Sequence, residues 1–149
     1  MNEMYCAEDF VLKLKQAGLR VTPQRLAIYR ALVTADAHPS AQNLFEQLQP
    51  ALPSLSQATV YNTLQTLTAR GLIQEIGELG DGAVRYDGNP APHINLVCTR
   101  CHCVSDLFDV PLDAIAEQVI ARSRFEAHGV RITYYGLCPR CQSGQPEGL

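Results

Sequence analysis

A chain of 149 residues suits one ordinary domain or two small ones. Apolar residues make up 46% and charged residues 18%, a composition that excludes collagen and disorder, and no apolar run approaches the ~20 residues that span a bilayer. The start, MNEMYCAEDF, has no cationic flank before an apolar core, so it is not read as a signal peptide, and the cytoplasm is the expected compartment. The net charge of −3 speaks against nucleic acid, but its distribution does not. Between Leu12 and Leu72 six basic residues (Lys13, Lys15, Arg20, Arg25, Arg30 and Arg70) face only Asp36 and Glu46, a local +4. From Asp87 onward five basic residues face seven acids, a local −2.

In chain order, residues 8–17 read as a helix ended by Gly18. Thr22 can cap the next helix, with Pro23 in its first turn, and Leu26, Ile28, Ala31 and Leu32 follow at helical spacing. Ser40 caps a third helix that should bury Leu44, Phe45 and Leu48. Pro50 and Pro53 break the chain. Ser56 then caps QATVYNTLQTLTAR, with Val60, Leu64 and Leu67 on its apolar face and Gly71 at its end. LIQEI and AVRYD flank the turn GELGDG as a hairpin. Helices followed by a hairpin are the order of a winged helix-turn-helix.

The second half reads as strands HINLVC and CVSDLF, a helix over 112–123 after Pro111, and a long strand over 125–137 with Val130, Ile132 and Tyr134 on one face. The expected class is therefore α+β: a winged-helix DNA-binding domain over 1–86, then a small α/β dimerisation and metal-binding domain over 87–149, with a hinge at about 84–92. The second is too small to bury much core alone and needs a metal, a dimer interface or both. The tail after Cys141 is expected to fray.

Two C-x2-C pairs, Cys98/Cys101 and Cys138/Cys141, carry the strongest chemical signal. Four thiolates suit a closed, tetrahedral Zn²⁺ site whose role is stability. The other reading of the pairs is two redox dithiols, and with it a zinc-thiol redox switch. Cys6 and Cys103 read as a small buried hydrophobe and a strand residue. His38, Asp87, His93, Asn95 and Asp106 are scattered, but His93 and Asn95 alternate along one strand and share a face. Two imidazoles with oxygen donors suit Fe²⁺ or Mn²⁺. No paired base and nucleophile and no Gly-rich phosphate loop point to an enzyme.

TPQR at 22–25, HPSAQNLF at 38–45, SQATVYNTL at 56–64, GLI at 71–73 and the two cysteine pairs resemble the ferric uptake regulator family over about residues 10–142. TVYN, with Asn62 after Tyr61, looks like its peroxide-sensing repressor branch. The resemblance implies a homodimeric, metal-dependent repressor of transcription. It assigns structural zinc to Cys98, Cys101, Cys138 and Cys141, and regulatory iron or manganese to His38, Asp87, His93 and Asp106. Asn95 stands where the family has a histidine; its neutral amide should weaken Fe²⁺ and Zn²⁺ more than Mn²⁺. His102 and His128 read as surface or strand residues, each available as a replacement ligand. The resemblance further implies that peroxide acting on bound iron oxidises His38 or His93 and releases repression. The alternative is a regulator that senses manganese or iron abundance only.

For double-stranded DNA, the helix from Gln57 offers Gln57, Thr59, Tyr61, Asn62 and Gln65 to the major groove, with Lys15, Arg20 and Arg25, beside Lys13, at phosphates. A dimer would read an inverted repeat, and the strand over 125–137 is the expected dimer-forming edge.

Overall fold

The computed structural model describes residues 7–144, so Cys6 and residues 145–149 lie outside the described residues. The chain divides into two compact units. One runs to Glu78 and resumes over Ala83–Pro90; the other takes Leu79–Gly82 and everything from Ala91.

The first unit contains α1 (Ala7–Gln16), α2 (Pro23–Val33), α3 (Ala41–Leu48), α4 (Gln57–Ala69), β1 (Gln74–Glu78) and β2 (Val84–Asp87). Each of α2, α3 and α4 starts at a hydroxyl that satisfies an otherwise orphaned backbone donor. Thr22 Oγ1 accepts from the Arg25 N–H at 3.2 Å. Ser56 Oγ accepts from the Thr59 N–H at 3.0 Å. Ser40 and Asn43 form a reciprocal box, with Ser40 Oγ accepting from the Asn43 N–H at 3.2 Å and Asn43 Oδ1 from the Ser40 N–H at 3.1 Å. Gly71, at φ +69°, ends the last of these helices.

Phe10, Leu14, Ile28, Leu32, Leu44, Val60, Leu64 and Leu67 form the centre of the core. Phe10 meets Tyr29 edge-on at 5.3 Å. Of the three residues expected to face inward from α3, Leu44 is fully buried, whereas Phe45 and Leu48 lie half-buried along its margin. The Arg70 guanidinium donates to the Ala17 carbonyl at 2.8 Å and ties the end of α4 to the end of α1.

The hairpin is antiparallel with a bulge between Glu75 and Gly77. Gly77 takes φ +100°, so β1 continues to Glu78 and the expected turn over 77–82 is shorter. The chain before α3 also joins β2. Ser40 bridges Arg85, and the Tyr86 N–H donates to the Pro39 carbonyl at 3.0 Å. That pairing sets His38 beside Asp87.

The second unit contains β3 (Ile94–Cys98), β4 (Val104–Leu107), α5 (Leu112–Ser123), β5 (Ile132–Gly136) and α6 (Pro139–Gln142). The sheet order is β4-β3-β5, antiparallel between β3 and β4 and parallel between β3 and β5. The long strand expected over 125–137 is a correction. Only residues 132–136 pair, because β3 offers five partners, from Ile94 opposite Ile132 to Cys98 opposite Gly136. Arg124, at φ +56°, ends α5 and sends the chain into an unpaired stretch that includes Val130. Ile132 and Tyr134 still share a face of an edge strand. Gln142, expected to belong to a frayed tail, instead ends α6. Among the described residues no helix is long and apolar enough to cross a membrane.

Gly88 follows β2 where there is no room for a side chain. A Cβ there would lie 2.7 Å from Val33 Cα. A Gly88→Ala protein is expected to lose about 1–3 kcal/mol of stability in denaturant melts, because two backbones must part; unchanged stability would contradict this packing.

Candidate metal centres and nucleic-acid face

The second unit gathers thiols. Cys98 ends β3, and the chain turns back within six residues: the Cys98 N–H donates to the Cys103 carbonyl at 3.0 Å and the His102 N–H to the Cys98 carbonyl at 2.9 Å. The turn uses His102 at φ +58°. The Sγ atoms of Cys98, Cys101, Cys103 and Cys138 all lie within 4.8 Å of one another, and Cys101 and Cys138 are 3.7 Å apart. Four sulfurs at ~2.3 Å from a zinc ion stand about 3.8 Å apart, so this spacing fits the ion.

Cys103, expected as a strand residue, precedes β4 and belongs to the cluster. Cys141 is buried on α6, and its thiol faces those of Cys138, Cys101 and Cys98. Backbone N–H groups, Cys101 first and Cys138 next, bring the Cys98 thiol down to about 5. The Cys138 thiol is lowered first by the Cys141 backbone N–H. Burial first, and neighbouring thiols next, push Cys103 and Cys141 up to about 12. The set therefore combines thiols whose ionised form the backbone favours with thiols whose ionised form burial disfavours until a cation joins them.

The imidazoles and carboxylates form a second kind of donor group. In the first unit His38 Nε2 lies 3.6 Å from Asp87 Oδ2. In the second, His93 Nε2 lies 3.6 Å from Asp106 Oδ1. His93 Nδ1 is 2.7 Å from the Ala91 carbonyl. A carbonyl can only accept, so Nδ1 donates there and Nε2 is the ring atom that faces Asp106. The ring also packs on Phe108, with centroids 5.1 Å apart.

Asn95 pairs with Asp106 across β3 and β4, stands two residues after His93, which precedes β3 rather than lying in it, and is 0% exposed. Among the described residues neither its Oδ1 nor its Nδ2 has a hydrogen-bond partner. His102, expected on a surface or strand, sits in the turn with Nδ1 2.7 Å from the Leu79 carbonyl, and His128 stands in solvent near Glu126.

On α4, Tyr61, Asn62 and Gln65 are exposed. The Gln57 amide donates to Gln42 Oε1 at 2.9 Å, and Gln42 donates on to Glu46, so Gln57 is braced against α3. The half-buried Thr59 shares a hydrogen bond with the capping Ser56 hydroxyl. Lys15 and Arg20 are exposed, whereas Arg25 is half-buried and donates to the Arg20 carbonyl at 2.6 Å.

A helix-turn-helix with a hairpin wing, joined in one chain to a small α+β unit that carries clustered thiols and an imidazole–carboxylate pair, defines a winged-helix protein with metal-binding chemistry. Residues 16–135 match the ferric uptake regulator family, and the chain belongs to that family. It is 34% identical over 135 residues to the peroxide-responsive repressor PerR of Staphylococcus aureus, covering 91% of this chain and 90% of that protein. A solved structure of PerR from Streptococcus pyogenes, described for peroxide sensing and gene regulation, is 32% identical with a TM-score of 0.52, covering 91% of this chain and 92% of that one. The ferric uptake regulator Fur of Helicobacter pylori, at 18% identity, shares the fold with a TM-score of 0.74, covering 99% of this chain and all of that one.

Chelation of zinc under reducing conditions is expected to unfold the second unit selectively. Amides of residues 94–98 and 132–136 should lose protection from hydrogen exchange while those of α2 and α4 keep theirs; equal protection before and after would contradict a stabilising thiol site.

Proposed function

We propose that this chain is a metal-dependent, DNA-binding repressor of transcription that responds to peroxide. In this reading Cys98, Cys101, Cys138 and Cys141 carry structural zinc. His38 and Asp87 from the first unit, and His93, Asn95 and Asp106 from the second, hold one regulatory Fe²⁺ or Mn²⁺ ion.

The observation that carries it is the Asn95 amide, fully buried and, among the described residues, without a hydrogen-bond partner, two residues after His93 and opposite Asp106. Such burial is costly unless the amide oxygen has a cation to meet. Membership of the ferric uptake regulator family and the likeness to PerR of Staphylococcus aureus support the same reading.

Residues from both units sharing one ion make the arrangement of the units depend on that ion. DNA binding then follows metal binding by linkage. Tyr61, Asn62 and Gln65 reach base edges, Gln57 and Thr59 support the same face, and Lys15 and Arg20 meet phosphates, with Arg25 shaping the loop before α2. Two copies joined along β5 would present two reading helices to an inverted repeat.

Ferrous iron, when bound, would supply the redox chemistry that lets hydrogen peroxide act on an imidazole beside it. His38 or His93 would give two electrons to the peroxide, with one peroxide oxygen ending on a ring carbon and the other leaving as water, and the altered ring would no longer serve as a ligand. The neutral Asn95 favours a second reading, a regulator of manganese or iron abundance without peroxide chemistry, because oxygen donors suit Mn²⁺.

The test is a peptide mass map of the Fe²⁺-loaded chain after brief, dilute hydrogen peroxide, with the Mn²⁺-loaded chain as control. One added oxygen on the peptide holding His38 or His93, with iron only, is the expected result. Bound iron with both histidines unaltered would leave the abundance sensor, and zinc loss with a new Cys98–Cys101 disulfide would move the reading to a thiol switch.

A further inference from the structure

The thiol cluster holds five cysteines around a site that takes four. Cys98, Cys101, Cys103 and Cys138 have Sγ atoms mutually within 4.8 Å, a complete tetrahedral set without Cys141. Cys141 approaches the same three partners, Cys138, Cys101 and Cys98, from α6. Cys103 reaches them from the turn after β3, where the bond from the Cys98 N–H to the Cys103 carbonyl fixes its position. Two thiols on different elements thus face one ligand position. The double C-x2-C spacing points to Cys141 for that position, and the geometry points to Cys103.

We infer that Cys103 is a zinc ligand: it completes the site with Cys98, Cys101 and Cys138 and exchanges with Cys141 for the fourth position. This rests on the zinc reading above and adds a ligand to it. A site with a resident replacement keeps its ion when either of the two sulfurs is lost. Among the described residues Cys98, Cys101 and Cys138 have no such replacement. Their loss should empty the site.

The experiment measures zinc per chain, and the sulfur-to-metal charge-transfer spectrum of the cobalt(II)-substituted full-length protein, in the unaltered chain, Cys141→Ser, Cys103→Ser and the double variant. Each single variant is expected to keep one zinc and a four-thiolate cobalt spectrum. The double variant should fall to three thiolates or lose the ion. A folded Cys141→Ser protein with three thiolates or no zinc would overturn the inference, as would a double variant indistinguishable from Cys141→Ser.

Where a variant fails to fold, brief alkylation of the zinc-loaded chain with Cys6→Ser as its only change replaces it. Label on Cys141 in some or all chains, and never on Cys103 and Cys141 of the same chain, is the expected result; label confined to Cys103 would overturn it. An unaltered chain that holds no zinc at all would bring down the zinc reading itself, a failure distinct from either of these.

Discussion

A buried amide with no partner costs a fold about 1–3 kcal/mol, and among the described residues Asn95 is such an amide, on the central strand of its sheet. An apolar residue would suit a strand position that shares its face with the buried Val97. The polar choice makes sense when a ligand completes it. His93 is oriented close by in sequence, with Nδ1 donating to the Ala91 carbonyl and Nε2 facing Asp106. The proposed regulatory site rests on this gathering of donors.

The second unit carries its own version of that constraint. A three-stranded sheet with a single long helix buries little apolar surface, and Tyr134, Tyr135, Ile115 and Val119 remain exposed. Its ends are joined through thiols: the turn after β3 and the start of α6 meet where Cys101 and Cys138 lie 3.7 Å apart. Backbone N–H groups aimed at Cys98 favour its thiolate, so the cluster is prepared for a cation before one arrives. Zinc binding there is also folding energy.

Much of this was legible in the residues, for local reasons. Thr22 before Pro23, Ser40 and Ser56 mark helix starts because a hydroxyl answers a nearby backbone donor, and all three do so. The C-x2-C spacing marks thiol pairs because two residues between cysteines let both sulfurs face one point. What was not legible depends on partners distant in sequence. The length of β5 is set by the five residues of β3, which no reading of FEAHGVRITYYGLC contains. The role of Cys103 depends on a left-handed residue at His102, a conformation that side chains rarely adopt and sequence rarely announces. Gln57 reads as a free polar side chain until α3 places Gln42 against it. The pairing of His38 with Asp87 follows from a bridge between Ser40 and Arg85, far apart in the chain.

The proposed function requires that donors from both units hold one ion. The direct measurement is a Mn²⁺ titration of the zinc-holding chain, followed by the electron paramagnetic resonance signal of free Mn²⁺, for the unaltered protein, His38→Ala and Asn95→Ala. One Mn²⁺ per chain, weakened roughly tenfold or more by either substitution, is expected. Two independent ions per chain, or an affinity that neither substitution changes, would contradict it.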